Sequence, residues 1–172
     1  QESQSIVQLI RIADGHVMAK WVPDWKYIHR QIRHHRFILK ENSLTYRANH
    51  PLLMNDGSLI FNTNGSLVRQ PLCSHSPSWV SSYVFHHSVE LASDGRSVWA
   101  PSVTEQFAVD NPVLKDRLRD DSLAEVSLDG RVIQNLSFSK ILADNNLTAH
   151  MLGNTGFALS DDPIHINQIT PA

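Results

Sequence analysis

One cysteine, Cys73, stands alone among 172 residues, so no disulfide closes within the chain and zinc sites needing two or more cysteines are excluded. No apolar run approaches the roughly 18 residues that cross a bilayer as a helix. The opening Gln1-Glu2-Ser3-Gln4 has neither the basic nor the apolar region of an export signal. An excess of positive charge is missing too. The 15 Lys and Arg against 17 Asp and Glu leave a net charge of -2, which offers nucleic acid no basic field. A Gly-rich phosphate loop, a Gly-x-Ser-x-Gly elbow and a His-Glu-x-x-His helix are all absent. Nucleotide binding and these two hydrolytic chemistries therefore have no motif to rest on. What remains is globular: 41% hydrophobic residues is too apolar for a disordered chain, and the length suits one domain.

Asp-Gly is the recurrent feature. It occurs at Asp14-Gly15, Asp56-Gly57, Asp94-Gly95 and Asp129-Gly130, spaced by about 42, 38 and 35 residues. Such a pair supplies the positive φ angles of a tight type I′ hairpin turn. Each pair lies between apolar or alternating runs, such as Leu52-Leu53-Met54 and Leu59-Ile60-Phe61 around the second. Hairpins at a period near 40 point to an all-β fold, an incomplete β-propeller of antiparallel four-stranded blades. A β-sandwich with four hairpins is the rival, although its turn signals need no longer period. Asn64-Gly65 reads as a second turn inside one blade. The expected domain is a partial propeller over 1–172, with a helical or loop insertion at about 24–40.

That insertion places Trp25, Ile28, Ile32 and Leu39 on one helical face. Lys26, Arg30, Arg33, Arg36 and Lys40 supply its charge. The segment reads as an amphipathic excursion on the outside, the rival being a basic helix for an anionic partner. Asn111 to Asp121 is charged and reads as a short helix or loop. Ser139 to Ala143 reads as a further short helix.

The ten histidines sort into groups. His29, His34 and His35 lie in the basic insertion, and His16, His75 and His150 have no company. His50, the pair His86-His87, and His165 recur ahead of a hairpin or at the matching point near the last residue. By the two-residue period of a strand, His50 precedes Leu52, His87 precedes Val89 and Asn167 precedes Ile169. This register makes His50, His87 and Asn167 equivalent, with His165 on the same side of its strand as Asn167. Equivalent positions of successive blades surround one axis, and imidazoles gathered there could bind an anion or transfer protons. Imidazoles also suit Zn, Cu, Ni or Fe. No carboxylate falls at the repeated position, and the reading assigns no metal and no cofactor.

Asn49-His50-Pro51-Leu52-Leu53, Phe85-His86-His87-Ser88-Val89-Glu90-Leu91 and Asp162-Pro163-Ile164-His165-Ile166-Asn167 resemble successive blade openings of the arylsulfotransferase family. The resemblance runs from about Ile6 to the last residue. It implies a six-bladed propeller, usually exported, hence periplasmic or secreted. It implies transfer of sulfate from a phenolic sulfate ester to a phenol, without a nucleotide donor, through a sulfated histidine. On this resemblance His87, His165 and Asn167 match channel residues that hold the sulfuryl group, with His86 and His50 as further substrate-binding residues. The family's nucleophilic histidine and sulfate-binding arginine fall past Ala172. Four hairpins also fall short of six blades, so the chain reads as a fragment, expected to self-associate through unclosed edges and not to transfer sulfate by itself.

Two other functions stay open on the residues alone. One is a non-catalytic propeller module that binds an anionic or aromatic ligand in its channel. The other is a hydrolase of sulfate or phosphate esters, with water as acceptor.

Overall fold

A computed structural model describes residues 5–31, 47–63, 65–81, 83–104, 119–153 and 162–171. Its core is all-β: consecutive antiparallel sheets that do not close, an incomplete propeller-like arrangement interrupted by short helices. Strands β1 (Val7–Ile10) and β2 (Val17–Trp21) form a two-stranded sheet. Helix α1 (Trp25–Gln31) follows, with Asp24 Oδ1 accepting the Tyr27 N–H at 2.9 Å in the manner of a cap. Trp25 and Ile28 of the expected helical face are buried, and residues 32–40 of the insertion lie outside the described residues.

The second sheet has four strands in sequence order, β3 (Asn49–Leu53), β4 (Leu59–Asn62), β5 (Leu67–Gln70) and β6 (Trp79–Val80). Every residue of β4 is buried, because both faces of this sheet are covered. Ile60 and Leu67 face one cluster with Phe85, Val98, Ala100, Ala124 and Val126. The alternate residues Leu59, Phe61 and Val68 face the other, with Trp21, Trp25 and Ile28.

The third sheet has β9 (Ser97–Thr104), β10 (Asp120–Ser127) and β11 (Val132–Ser137), edged by two short pieces, β7 (Val84–Phe85) and β8 (Glu90–Leu91). Both pieces pair with β9, so they are halves of one broken strand and the sheet is a four-stranded unit. Helix α2 (Phe138–Asp144) covers the short helix expected at 139–143, and α3 (Thr148–Gly153) follows it.

All four Asp-Gly pairs sit at hairpins, but two details differ from the sequence reading. Among these turns only the glycines have positive φ, from 70° to 89°. A type I′ turn would require it at both central residues. Around Asp56 the ladder closes with Met54 N–H on Ser58 O and Gly57 N–H on Met54 O, a three-residue loop with glycine in the left-handed position. Asp56 Oδ1 then accepts the Ser58 N–H at 2.9 Å, a local bond that a short carboxylate can reach. Second, Asp94-Gly95 and Asp129-Gly130 belong to one sheet, joining β8 to β9 and β10 to β11. An Asp-Gly pair reports a turn, not which two strands of a sheet it joins, so four hairpins do not mean four units. The loop or helix read over Asn111 to Asp121 is also corrected at its end. Asp120 and Asp121 open β10, while 111–118 lie outside the described residues.

The second and third sheets lock at a hairpin tip. Leu128 O accepts from Arg69 Nη1 at 2.7 Å and from Trp79 Nε1 at 3.0 Å. The Trp79 ring lies where a Cβ on Gly130 would stand, only 2.7 Å away. Gly130→Ala is therefore expected to lower stability by about 1–3 kcal/mol from crowding, beyond the cost of a left-handed alanine. Gly95→Ala meets no atom within 4 Å and carries the second cost alone. Equal losses for both variants in urea unfolding would show that the Trp79 contact does not form.

Candidate active site

The histidine cluster is built by irregular strands. In β3 the register moves between Asn49↔Asn62 and Leu52↔Ile60, so His50 and Pro51 oppose one residue. Between β7 and β8 the bulge is larger, since Phe85↔Ser102 gives way to Glu90↔Trp99. His86, His87, Ser88 and Val89 thus span two residues of β9. Pro101 permits this. Its carbonyl accepts the His86 N–H at 3.1 Å, so its nitrogen, which carries no hydrogen, faces the same side. A central strand that cannot donate there loses little when its neighbour bulges away.

Both bulges put a histidine in the left-handed region, and a third histidine joins them: φ is 46° at His50, 56° at His87 and 49° at His165. Such backbone is uncommon and costly for residues other than glycine. Asn167 lacks it. The position equivalent to His50 and His87 is thus His165, and Asn167, equated with them by strand alternation, lies two residues later. Alternation fails because 162–171 joins no sheet. That segment is held through its backbone instead, with Ile166 N–H on Asp121 Oδ2 at 2.7 Å and Ile169 N–H on Ser88 Oγ at 3.2 Å.

The structure brings His86, His87 and His165 together. Ring centroids are 5.1 Å apart for His86 and His87, and 5.2 Å for His87 and His165, edge to face in both pairs. His50 is exposed but close enough for its charge to act on His87. Asn62 of β4 donates its side-chain amide to His87 O, tying the bulge to the neighbouring sheet. Asn167 places its amide nitrogen on His165 O at 3.1 Å, so its contact is with backbone and not with an imidazole.

Three charged residues complete the cluster that the sequence reading left out. Asp121 is fully buried. Its Oδ1 accepts from Arg119 Nε at 2.9 Å and lies 3.4 Å from His86 Nε2. Arg119 Nη1 reaches Asp162 Oδ2 at 3.4 Å, and the same oxygen meets His165 Nδ1 at 2.5 Å. His86, Asp121, Arg119, Asp162 and His165 thus form one continuous polar chain. Leu123, Val126 and Leu128 ahead of Asp129-Gly130 mark a strand, and extending it three residues backward would have placed Asp120 and Asp121 inside it. The pairing with Asp162 has no sequence signal.

Burial lowers the pKa of His87, and the positive charges of His86, His165, Arg119 and His50 lower it further. Burial alone would raise the Asp121 carboxyl, but His86, Arg119 and the Ile166 N–H outweigh it and hold the group below the usual carboxylate range. His86 is 6% exposed, and neither of its ring nitrogens makes a hydrogen bond among the described residues, the 3.4 Å approach of Nε2 to Asp121 being an ion-pair contact. A groove of about 480 Å³ lined by Trp99, Leu123, Leu136 and Ile169 contains none of these side chains. Apolar shape alone would favour that groove. The histidine cluster is the better candidate, because titratable groups with a perturbed pKa converge there. It can present neutral imidazole to a proton and cationic donors to an anion.

A family model described as arylsulfotransferase (ASST) matches residues 50–172, beginning at His50 and taking in every residue of this cluster. No curated protein and no solved structure matches the chain.

Proposed function

The chain belongs to the arylsulfotransferase family, and on that premise we propose that its histidine cluster binds the sulfuryl group of a phenolic sulfate ester during transfer to a phenol acceptor. The observation that carries this reading is the left-handed backbone shared by His50, His87 and His165. Three costly conformations at one place are explained when they aim imidazoles at a common ligand.

The electrostatics suit an anion. Two of the neighbours that lower the His87 pKa, His165 and Arg119, are paired with Asp162. Negative oxygens arriving among these imidazoles would offset the repulsion and favour protonated His87, so ester binding is coupled to proton uptake. A sulfuryl group in transfer spreads negative charge over its oxygens, and donors fixed in advance stabilise it without reorganising. On this reading the ester itself is the donor and no nucleotide takes part. The protein then works where exported members of the family do, in the periplasm or outside the cell.

The test is release of nitrophenol from 4-nitrophenyl sulfate by the protein as encoded, with and without phenol. The expected result is release that depends on phenol, with phenyl sulfate as the second product. Equal release without phenol, with free sulfate formed, would replace transfer by hydrolysis. Binding of the ester with no release in either arm would leave a binding module.

A further inference from the structure

We infer that Asp162 is the positioning residue of this site, fixing the tautomer and orientation of His165 so that His165 Nε2 exchanges protons with the phenolic oxygens. The inference rests on the arylsulfotransferase reading for its chemistry and on geometry for the residue. Asp162 Oδ2 lies 2.5 Å from His165 Nδ1, a charge-assisted bond three residues apart in sequence. A neutral imidazole that donates through Nδ1 must leave Nε2 as its acceptor. No hydrogen bond among the described residues engages Nε2. The His165 side chain is half exposed, at 54%, whereas Asp162 is mostly covered, at 16%. The carboxylate is thus the fixed partner and the imidazole the reachable one.

Arg119 holds that carboxylate in place. Its Nη1 sits 3.4 Å from the same Oδ2, and its Nε is anchored on buried Asp121. The segment carrying both residues is held next door by Ile166 N–H on Asp121. His165 is therefore faced by Asp162, with Arg119 behind it, and by His87 at 5.2 Å between ring centroids. Across one turnover the sulfur–oxygen bond to the donor phenol breaks and one to the acceptor phenol forms. Doubly protonated His165 gives its Nε2 proton to the departing phenolate, and the neutral Nδ1–H form that remains takes one at Nε2 from the arriving phenol, so protons and charge balance.

The first experiment needs no variant. Long-range proton–nitrogen correlation of the wild-type imidazoles, at a pH where they are neutral, should show His165 protonated on Nδ1. An Nε2–H form would overturn the inference whatever the enzyme does. Asp162→Asn should shift His165 toward the other tautomer and lower kcat with 4-nitrophenyl sulfate more than it changes KM. His165 is half exposed, so water can partly replace the carboxylate. A loss of about 10²-fold is expected, not the about 10⁴-fold seen for a buried triad carboxylate. Asp162→Glu keeps the charge and should recover part of the loss. Turnover by Asp162→Asn equal to wild type would end this inference and leave the family reading standing. Wild-type protein with the Nδ1–H form but no sulfate transfer would do the reverse.

Discussion

Asp121→Ala is expected to lower stability by about 3–5 kcal/mol, the cost of removing one partner from a buried ion pair. Asp121 is wholly covered, and its two oxygens serve Arg119, His86 and the Ile166 N–H. Alanine would leave buried His86 and the Ile166 N–H without their carboxylate partner and Arg119 with Asp162 alone among the described residues. The exposed pair Lys140–Asp144, 2.9 Å apart with both side chains more than half exposed, provides the comparison. Asp144→Ala should cost no more than about 0.5 kcal/mol, the usual value for a solvated helical pair. Urea unfolding separates the two outcomes, and similar shifts in midpoint would mean that the Asp121 network is not formed in solution. Hydrogen exchange adds a local readout, because the Ile166 amide should lose protection in Asp121→Ala.

The same carboxylate gives the pH dependence a sign. A carboxyl whose folded pKa is depressed contributes stability above the ordinary carboxylate range, and loses it as pH falls through the folded value. His87 acts in the same direction at higher pH. Its folded pKa is also depressed, so the unfolded chain binds the proton first and folding weakens as pH drops through the ordinary imidazole range. Stability should therefore fall in two stages toward acid. Asp121→Asn reduces the lower stage, to which the depressed carboxyls of Asp14, Asp56 and Asp129 also contribute, and His87→Gly removes the upper one.

What the sequence made legible follows from how local each signal is. Asp-Gly is a local signal, since glycine takes the left-handed position and the aspartate reaches the backbone beside it, so all four turns were readable. The assignment of the last two turns to one sheet depends on which strands pair, and no turn residue records that. The site histidines were readable from their recurrence ahead of hairpins. Their conformation was not, because His-Pro, His-Ser and His-Ile share no turn chemistry. That is why alternation chose Asn167 where the backbone chooses His165. Asp121, Arg119 and Asp162 were missed for a different reason. Asp121 meets Ile166 across 45 residues, and a charged run beside a proline reads as solvated loop until the strand that buries it is known.

His87→Gly should separate the two things this position does. At φ 56° an L-residue bears strain of roughly 1–2 kcal/mol that glycine does not. The imidazole, in contrast, is part of the proposed chemistry, and a fixed donor to charge that develops in transfer is worth about 10²–10³-fold in rate. His87→Gly is thus expected to lose turnover by that factor while unfolding at a urea concentration close to wild type, the lost packing offset by relief of strain. His87→Ala loses the same imidazole but keeps the strain, so it should match the glycine variant in activity and fall below it in stability. That order reverses the ordinary one, in which glycine within a strand is less stable than alanine by about 0.5–1 kcal/mol. Exposed His16, at the first hairpin, serves as the control, and His16→Ala should leave turnover unchanged. Alanine more stable than glycine at position 87 would show that the left-handed bulge is not populated. Turnover by either variant within a few-fold of wild type would remove His87 from the site.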